Sequence, residues 1–89
     1  MLVLPSEITH NQARACALAV GQEIQTGSDL DVVLDATPLI KFDSSALAVM
    51  LQCRREALAQ GKQFTVHGLT PHLAELAALY GVEDLLKAT

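Results

Sequence analysis

Apolar and polar positions along this chain switch repeatedly between a strand-like and a helix-like pattern. Leu2-Val3-Leu4 is a short apolar run stopped by Pro5-Ser6, and it predicts a strand. The period then becomes helical: Ala13, Cys16, Ala17, Val20 and Ile24 fall on one face. Thr9 and Asn11 are candidate caps for this first helix, and Gly27-Ser28 closes it as a glycine often does. Asp31-Val32-Val33-Leu34-Asp35 is a compact branched run between acids, the signature of a buried strand. Pro38 turns the chain, and Leu39-Ile40-Lys41-Phe42 leads into the polar triplet Asp43-Ser44-Ser45.

A second helix is predicted from about Ser44 to Gln60, ended by Gly61. Its inner stripe is Ala46, Val49, Met50, Cys53 and Ala57, with Leu47, Leu51 and Leu58 beside it; Gln52, Arg55 and Glu56 face water. Phe64-Thr65-Val66-His67 predicts a third strand, broken by Gly68. Thr70 as cap and Pro71 in the first turn announce a third helix. Its apolar face is Leu73, Leu76, Ala77 and Tyr80, and Gly81 terminates it. Val82, Leu85 and Leu86 suggest one last helical turn. The order β-α-β-α-β-α implies right-handed crossovers and a largely parallel sheet. With no repeat, linker or low-complexity tract, residues 1–89 read as one small α/β domain.

Composition narrows the function. Of 89 residues, 51% are hydrophobic and only 3% aromatic, so the chain folds around Leu, Val, Ile and Ala. The formal charge is -4, and the six bases (Arg14, Lys41, Arg54, Arg55, Lys62, Lys87) form no patch in the sequence. Nucleic acid is therefore not an expected partner, nor is an anionic membrane surface. Cys16 and Cys53 read as small buried hydrophobes rather than a disulfide framework. With no signal peptide and no run of the ~20 apolar residues a membrane span needs, a cytoplasmic chain without direct membrane insertion is expected.

Catalytic and metal chemistry finds little footing. His10, His67 and His72 pair with no other ligand at zinc spacing, so no metal site is expected. Neither GxGxxG nor GxxxxGK[ST] occurs, and no cofactor is implied. Ser44 and Ser45 lack a Gly-x-Ser-x-Gly elbow and an adjacent base; Asp43 is too weak a base for a hydroxyl. Asp31 and Asp35 bracket a strand, and Glu83-Asp84 favours a helix start, so neither pair reads as an acid–base couple. No enzymatic activity is expected.

Asp43-Ser44-Ser45 remains. Its plain reading is an N-cap, since Asp and Ser oxygens accept from the orphan N–H groups of a helix start. Three such side chains exceed what a cap needs. They also stand after the carboxyl end of a strand, where α/β folds place their sites. A phosphate on Ser44 would gain from the helix dipole and, beside Asp43, its charge of about -2 would disturb a docked partner.

The chain resembles the STAS family, shared by anti-sigma factor antagonists, transporter tails and a small lipid-transport subunit. Leu4-Pro5-Ser6-Glu7-Ile8-Thr9 is similar to the family's L-x-G-E-L-T lead into the first helix. Val32-Val33-Leu34-Asp35 resembles its VVLDL strand, and Phe42-Asp43-Ser44-Ser45-Ala46-Leu47 its x-D-S-S/T-G-L loop. Phe64-Thr65-Val66-His67-Gly68-Leu69 and Leu76-Ala77-Ala78-Leu79-Tyr80-Gly81-Val82 resemble its later strand and closing L-x-x-L-x-G-L/V stretch. The resemblance implies a STAS-like (SpoIIAA-like) α/β domain, a small mostly parallel sheet with helices packed on it. It makes Ser44 the match of the serine or threonine phosphorylated in the antagonists, and Asp43 the acid before it. Ala46 departs from the usual glycine, and the first strand, Met1 to Leu4, is short.

The form DSSALAVML followed by Arg54-Arg55-Glu56 is similar to the MlaB-like branch. That branch implies a cytoplasmic, non-enzymatic subunit bound to the nucleotide-binding ATPase of an ABC transporter that maintains outer-membrane phospholipid asymmetry, and so peripheral to the inner membrane. The implied partner surface is Thr9, His10, Lys41, Phe42, Asp43, Ser44, Ser45 and Ala46. The alternative is an anti-anti-sigma switch whose partner is an anti-sigma factor serine kinase. A short first strand would also leave a sheet edge open, so self-association is a further expectation.

Overall fold

The computed structural model describes residues 2–86; Met1, from the predicted first-strand run, and Lys87, one of the six bases, lie outside the described residues. Three strands form the main sheet: β1 (Leu2–Val3), β3 (Asp31–Asp35) and β5 (Gln63–His67). They lie in the order β1-β3-β5, every pair parallel, with Leu2 opposite Leu34 and Leu34 opposite Val66. Alternation along the strands sends Val32, Leu34 and Val66 into the core. The helices are α1 (His10–Thr26), α2 (Ser44–Ala59) and α3 (Pro71–Leu79), followed by a 3-10 turn over Glu83–Leu85. α1 lies along α2, and α2 packs on β5. Val20 and Ile24 from α1 join the predicted stripe Ala46, Val49, Met50, Cys53 and Ala57 from α2 in one buried cluster.

Two further strands escaped the sequence pattern. β2 (Glu7–Ile8) and β4 (Lys41–Phe42) form a separate parallel pair, Glu7 opposite Lys41 and Ile8 opposite Phe42. Two residues carry no readable period, and the pairing joins segments far apart in sequence. The pair is anchored by Ile8, which is 0% exposed, and by Ser6 O, which accepts from the N–H groups of Ile40 (2.8 Å) and Lys41 (3.0 Å). The segment expected only to lead into the triplet is thus held against residues 6–8.

α1 ends at Gly27 as expected, its N–H donating to Glu23 O (2.9 Å), but not in the left-handed conformation of the usual glycine cap. Gly27 has φ -72° and ψ 149°, ordinary extended backbone. Glycine is needed there for space, because a Cβ would stand 2.9 Å from Glu23 O. Lys62, only 9% exposed, completes this end: its ammonium donates to Ile24 O (2.5 Å) and Gly27 O (2.7 Å). A cation at this end also answers the negative pole of the helix dipole. Gly61 and Gly81, by contrast, do end α2 and α3 in the left-handed region, at φ +71° and +70°. Two apolar assignments reverse: Leu58 is exposed, and Tyr80 is 60% exposed at the last turn of α3 rather than part of its inner face.

Candidate functional site

β2 and β4 run side by side and deliver the chain into α1 and α2 respectively, so the two helix N-termini start next to each other. Asp43 joins them. Its Oδ1 accepts from the Ser45 N–H of α2 (2.8 Å) and its Oδ2 from the His10 N–H of α1 (3.2 Å). One carboxylate therefore serves two helix starts, each with its positive dipole pole. The carboxyl is held below the usual carboxylate range, first by the Ser45 N–H, with the His10 N–H adding to it. The predicted three-residue cap resolves into one cap: Asp43 is the N-cap, while Ser44 and Ser45 are the first helical residues of α2.

Thr9 precedes α1 as its N-cap. Its N–H and its hydroxyl both donate to Gln12 Oε1 (3.0 and 2.5 Å), and Gln12 Nε2 donates to Glu7 Oε2 (2.8 Å). Asn11, the other candidate, lies inside the helix. His10, Lys41 and Ser44 are exposed, and Thr9, Asp43 and Ser45 half-buried. Two members of the expected surface are placed otherwise. Ala46 is 0% exposed, since the third position of α2 already turns to the core. Phe42 is half-buried against the core and meets the His72 ring edge-on at 5.5 Å, tying β4 to the start of α3.

The residues that sequence reasoning missed lie beside Ser44. Leu47, Ala48, Leu51, Tyr80 and Val82 line with it an apolar groove of about 290 Å³ between α2 and the end of α3. The signal is the helical spacing of Leu47 and Leu51 from Ser44, two leucines that the apolar pattern places only beside the inner stripe of α2. Tyr80 could be placed there only by the tertiary fold.

Elsewhere, Asp35 is held below the carboxylate range chiefly by the Thr37 hydroxyl, then by the Thr37 N–H. Cys16 and Cys53 are free thiols; burial, ahead of nearby Cys16 and Glu56, pushes Cys53 up to about 12, and burial also raises Cys16. Among the described residues no three His, Cys, Asp or Glu side chains stand together as metal ligands would, and no helix is long and apolar enough to cross a membrane.

The family model described as Mlab, STAS domain matches residues 1–87. The chain belongs to the STAS domain family. No curated protein matches its sequence. Among solved structures, this STAS fold is similar to an anti-sigma-factor antagonist (STAS) domain protein from Planctomyces limnophilus. The identity is 13% and the TM-score 0.79, over 97% of this chain and 77% of that one. It is likewise similar to a candidate anti-sigma factor antagonist from Thermotoga maritima, at 16% identity and TM-score 0.80 over 97% of this chain and 75% of the other. The unphosphorylated anti-sigma factor antagonist SpoIIAA gives 17% identity and TM-score 0.76, over 98% of this chain and 76% of that one. STAS domains are protein-interaction domains related to these antagonists.

Proposed function

We propose that this chain, acting as one STAS domain, is a non-enzymatic cytoplasmic subunit that binds the nucleotide-binding ATPase of an ABC-type phospholipid transporter and stabilises or regulates it. The ATPase holds it at the inner membrane. The observation that carries the reading is the shared Asp43 carboxylate, which fixes two helix starts as one rigid, exposed surface. Thr9, His10, Lys41, Ser44 and Ser45 supply its polar rim, and the groove along Leu47, Leu51 and Tyr80 its apolar floor. Phe42 and Ala46 support this surface from beneath. The transporter class rests on the Mlab description of the matching family model and on the DSSALAVML sequence.

Ser44→Arg tests this. The side chain stands exposed at the first position of α2, so the variant is expected to keep its circular dichroism spectrum. It is expected to lose co-purification with the nucleotide-binding ATPase of the transporter. A folded variant that still co-purifies removes this surface from the interface.

A second reading, phosphorylation of Ser44 by an anti-sigma factor serine kinase, is supported by the exposure of that hydroxyl at the positive pole of α2. Mass spectrometry after incubation with the cognate kinase is expected to show one phosphate on Ser44; an unmodified chain leaves this switch without its mechanism.

A further inference from the structure

The inner face of α1 carries Ala13, Cys16, Ala17, Val20 and Ile24 toward the core. A second seam lies on its outer side: Arg14, Leu18, Gly21 and Gln25, spaced four, three and four residues apart as in paired helices. These four, with Gln52 and Glu56 of α2, line a groove of about 390 Å³ between the two helices. Two features in it have no use within the chain. Leu18 is 60% exposed, although it lies midway along a helix whose inner face is already complete. Gly21 sits in the helix interior, where glycine weakens a helix relative to alanine, yet a Cβ there would meet nothing within 4 Å. Neither internal packing nor backbone conformation asks for glycine at that position. A close approach from outside does.

We propose that two copies of this chain pair through this groove, α1 antiparallel to α1 about a two-fold axis, with Leu18 of each copy seated at Gly21 of the partner subunit. In an antiparallel pair, setting position 18 opposite position 21 also sets position 14 opposite position 25. Gln25 Nε2 donates to Glu56 Oε1 (2.6 Å), so Arg14 of one copy arrives at Gln25 and the Glu56 carboxylate of the partner subunit. Arg14 makes no hydrogen bond or ion pair among the described residues. The one register thus matches a knob to a notch and a cation to an anion, twice over by symmetry. Glu56 and Gln52 lie roughly three and two turns along α2 from Ser44, so pairing leaves the docking surface uncovered.

Sedimentation equilibrium of the full chain tests this. The wild type is expected to pass from the mass of one chain to that of two as concentration rises. Leu18→Glu and Gly21→Leu, both on the helix surface, are expected to keep the helical circular dichroism and show only the single-chain mass. Arg14→Glu or Glu56→Arg alone is expected to shift the transition to higher concentration, and the two together to restore it. A wild type that stays a single chain throughout overturns the proposal. So does a two-chain species indifferent to Leu18→Glu and Gly21→Leu, or a groove occupied only by a different protein.

Discussion

A carboxylate that accepts two backbone N–H groups is bound to its proton state as well as to its neighbours. Asp43 does this across two helices, and Asp35 accepts the hydroxyl and N–H of Thr37; both carboxyls are held below the usual range. The direction fixes the pH dependence. The stabilisation is fully present above the unfolded carboxylate value, about 3.9, and is lost as pH falls through the lower folded values. Urea midpoints are therefore expected to stay level from neutrality to about pH 5 and to fall below about pH 4. Asp43→Asn and Asp35→Asn should each flatten that acid limb. An acid limb identical in both variants would show that other carboxylates cause it. Cys53 belongs to the same scale. With its thiol pushed up to about 12 by burial, it is expected to resist alkylation at neutral pH until the chain is unfolded, as mass analysis can follow.

Among the elements, α1 depends most on a distant residue. Its last turn has no basic side chain of its own, and Lys62, which stands just before β5, serves it. Lys62→Met keeps the apolar stem but leaves the Ile24 and Gly27 carbonyls without their donor. A loss of about 1–3 kcal/mol is expected from urea unfolding, the cost of leaving the buried Ile24 carbonyl unpaired. The start of α3 is the opposite case. Thr70 Oγ1 accepts from Leu73 N–H (3.2 Å) and Pro71 fills the first turn, so neighbours in sequence complete it. That local chemistry is why Thr70 and Pro71 could be read before any fold was known.

For the whole molecule, stability rests on the apolar cluster where β3 and β5 meet the helices. Leu34 sits at the middle of the sheet, paired with both neighbours and 0% exposed. Leu34→Ala is expected to cost about 2–5 kcal/mol in urea unfolding, the transfer loss plus the cavity left behind. A loss under about 1 kcal/mol would mean that the helices close the gap by sliding on the sheet. The same layering positions the proposed docking surface: β2 and β4 stand apart from the main sheet, and their pairing brings residues 9–10 to residues 43–45.

Periodicity and turn chemistry, which act between residues a few positions apart, already specified the three helices, the strand at 31–35, residues 64–67 of the later strand, and Asp43 as a helix cap. They specified these because hydrophobic burial repeats every two or 3.6 residues and caps act within one turn. Only the tertiary structure decided that Asp43 also holds α1, that Lys62 completes the end of that helix, that Ala46 is sealed and that Tyr80 borders Ser44. Each of those is a contact between segments remote in sequence, set by the packing of helices and sheet together, and no local pattern encodes which remote partner a side chain will meet.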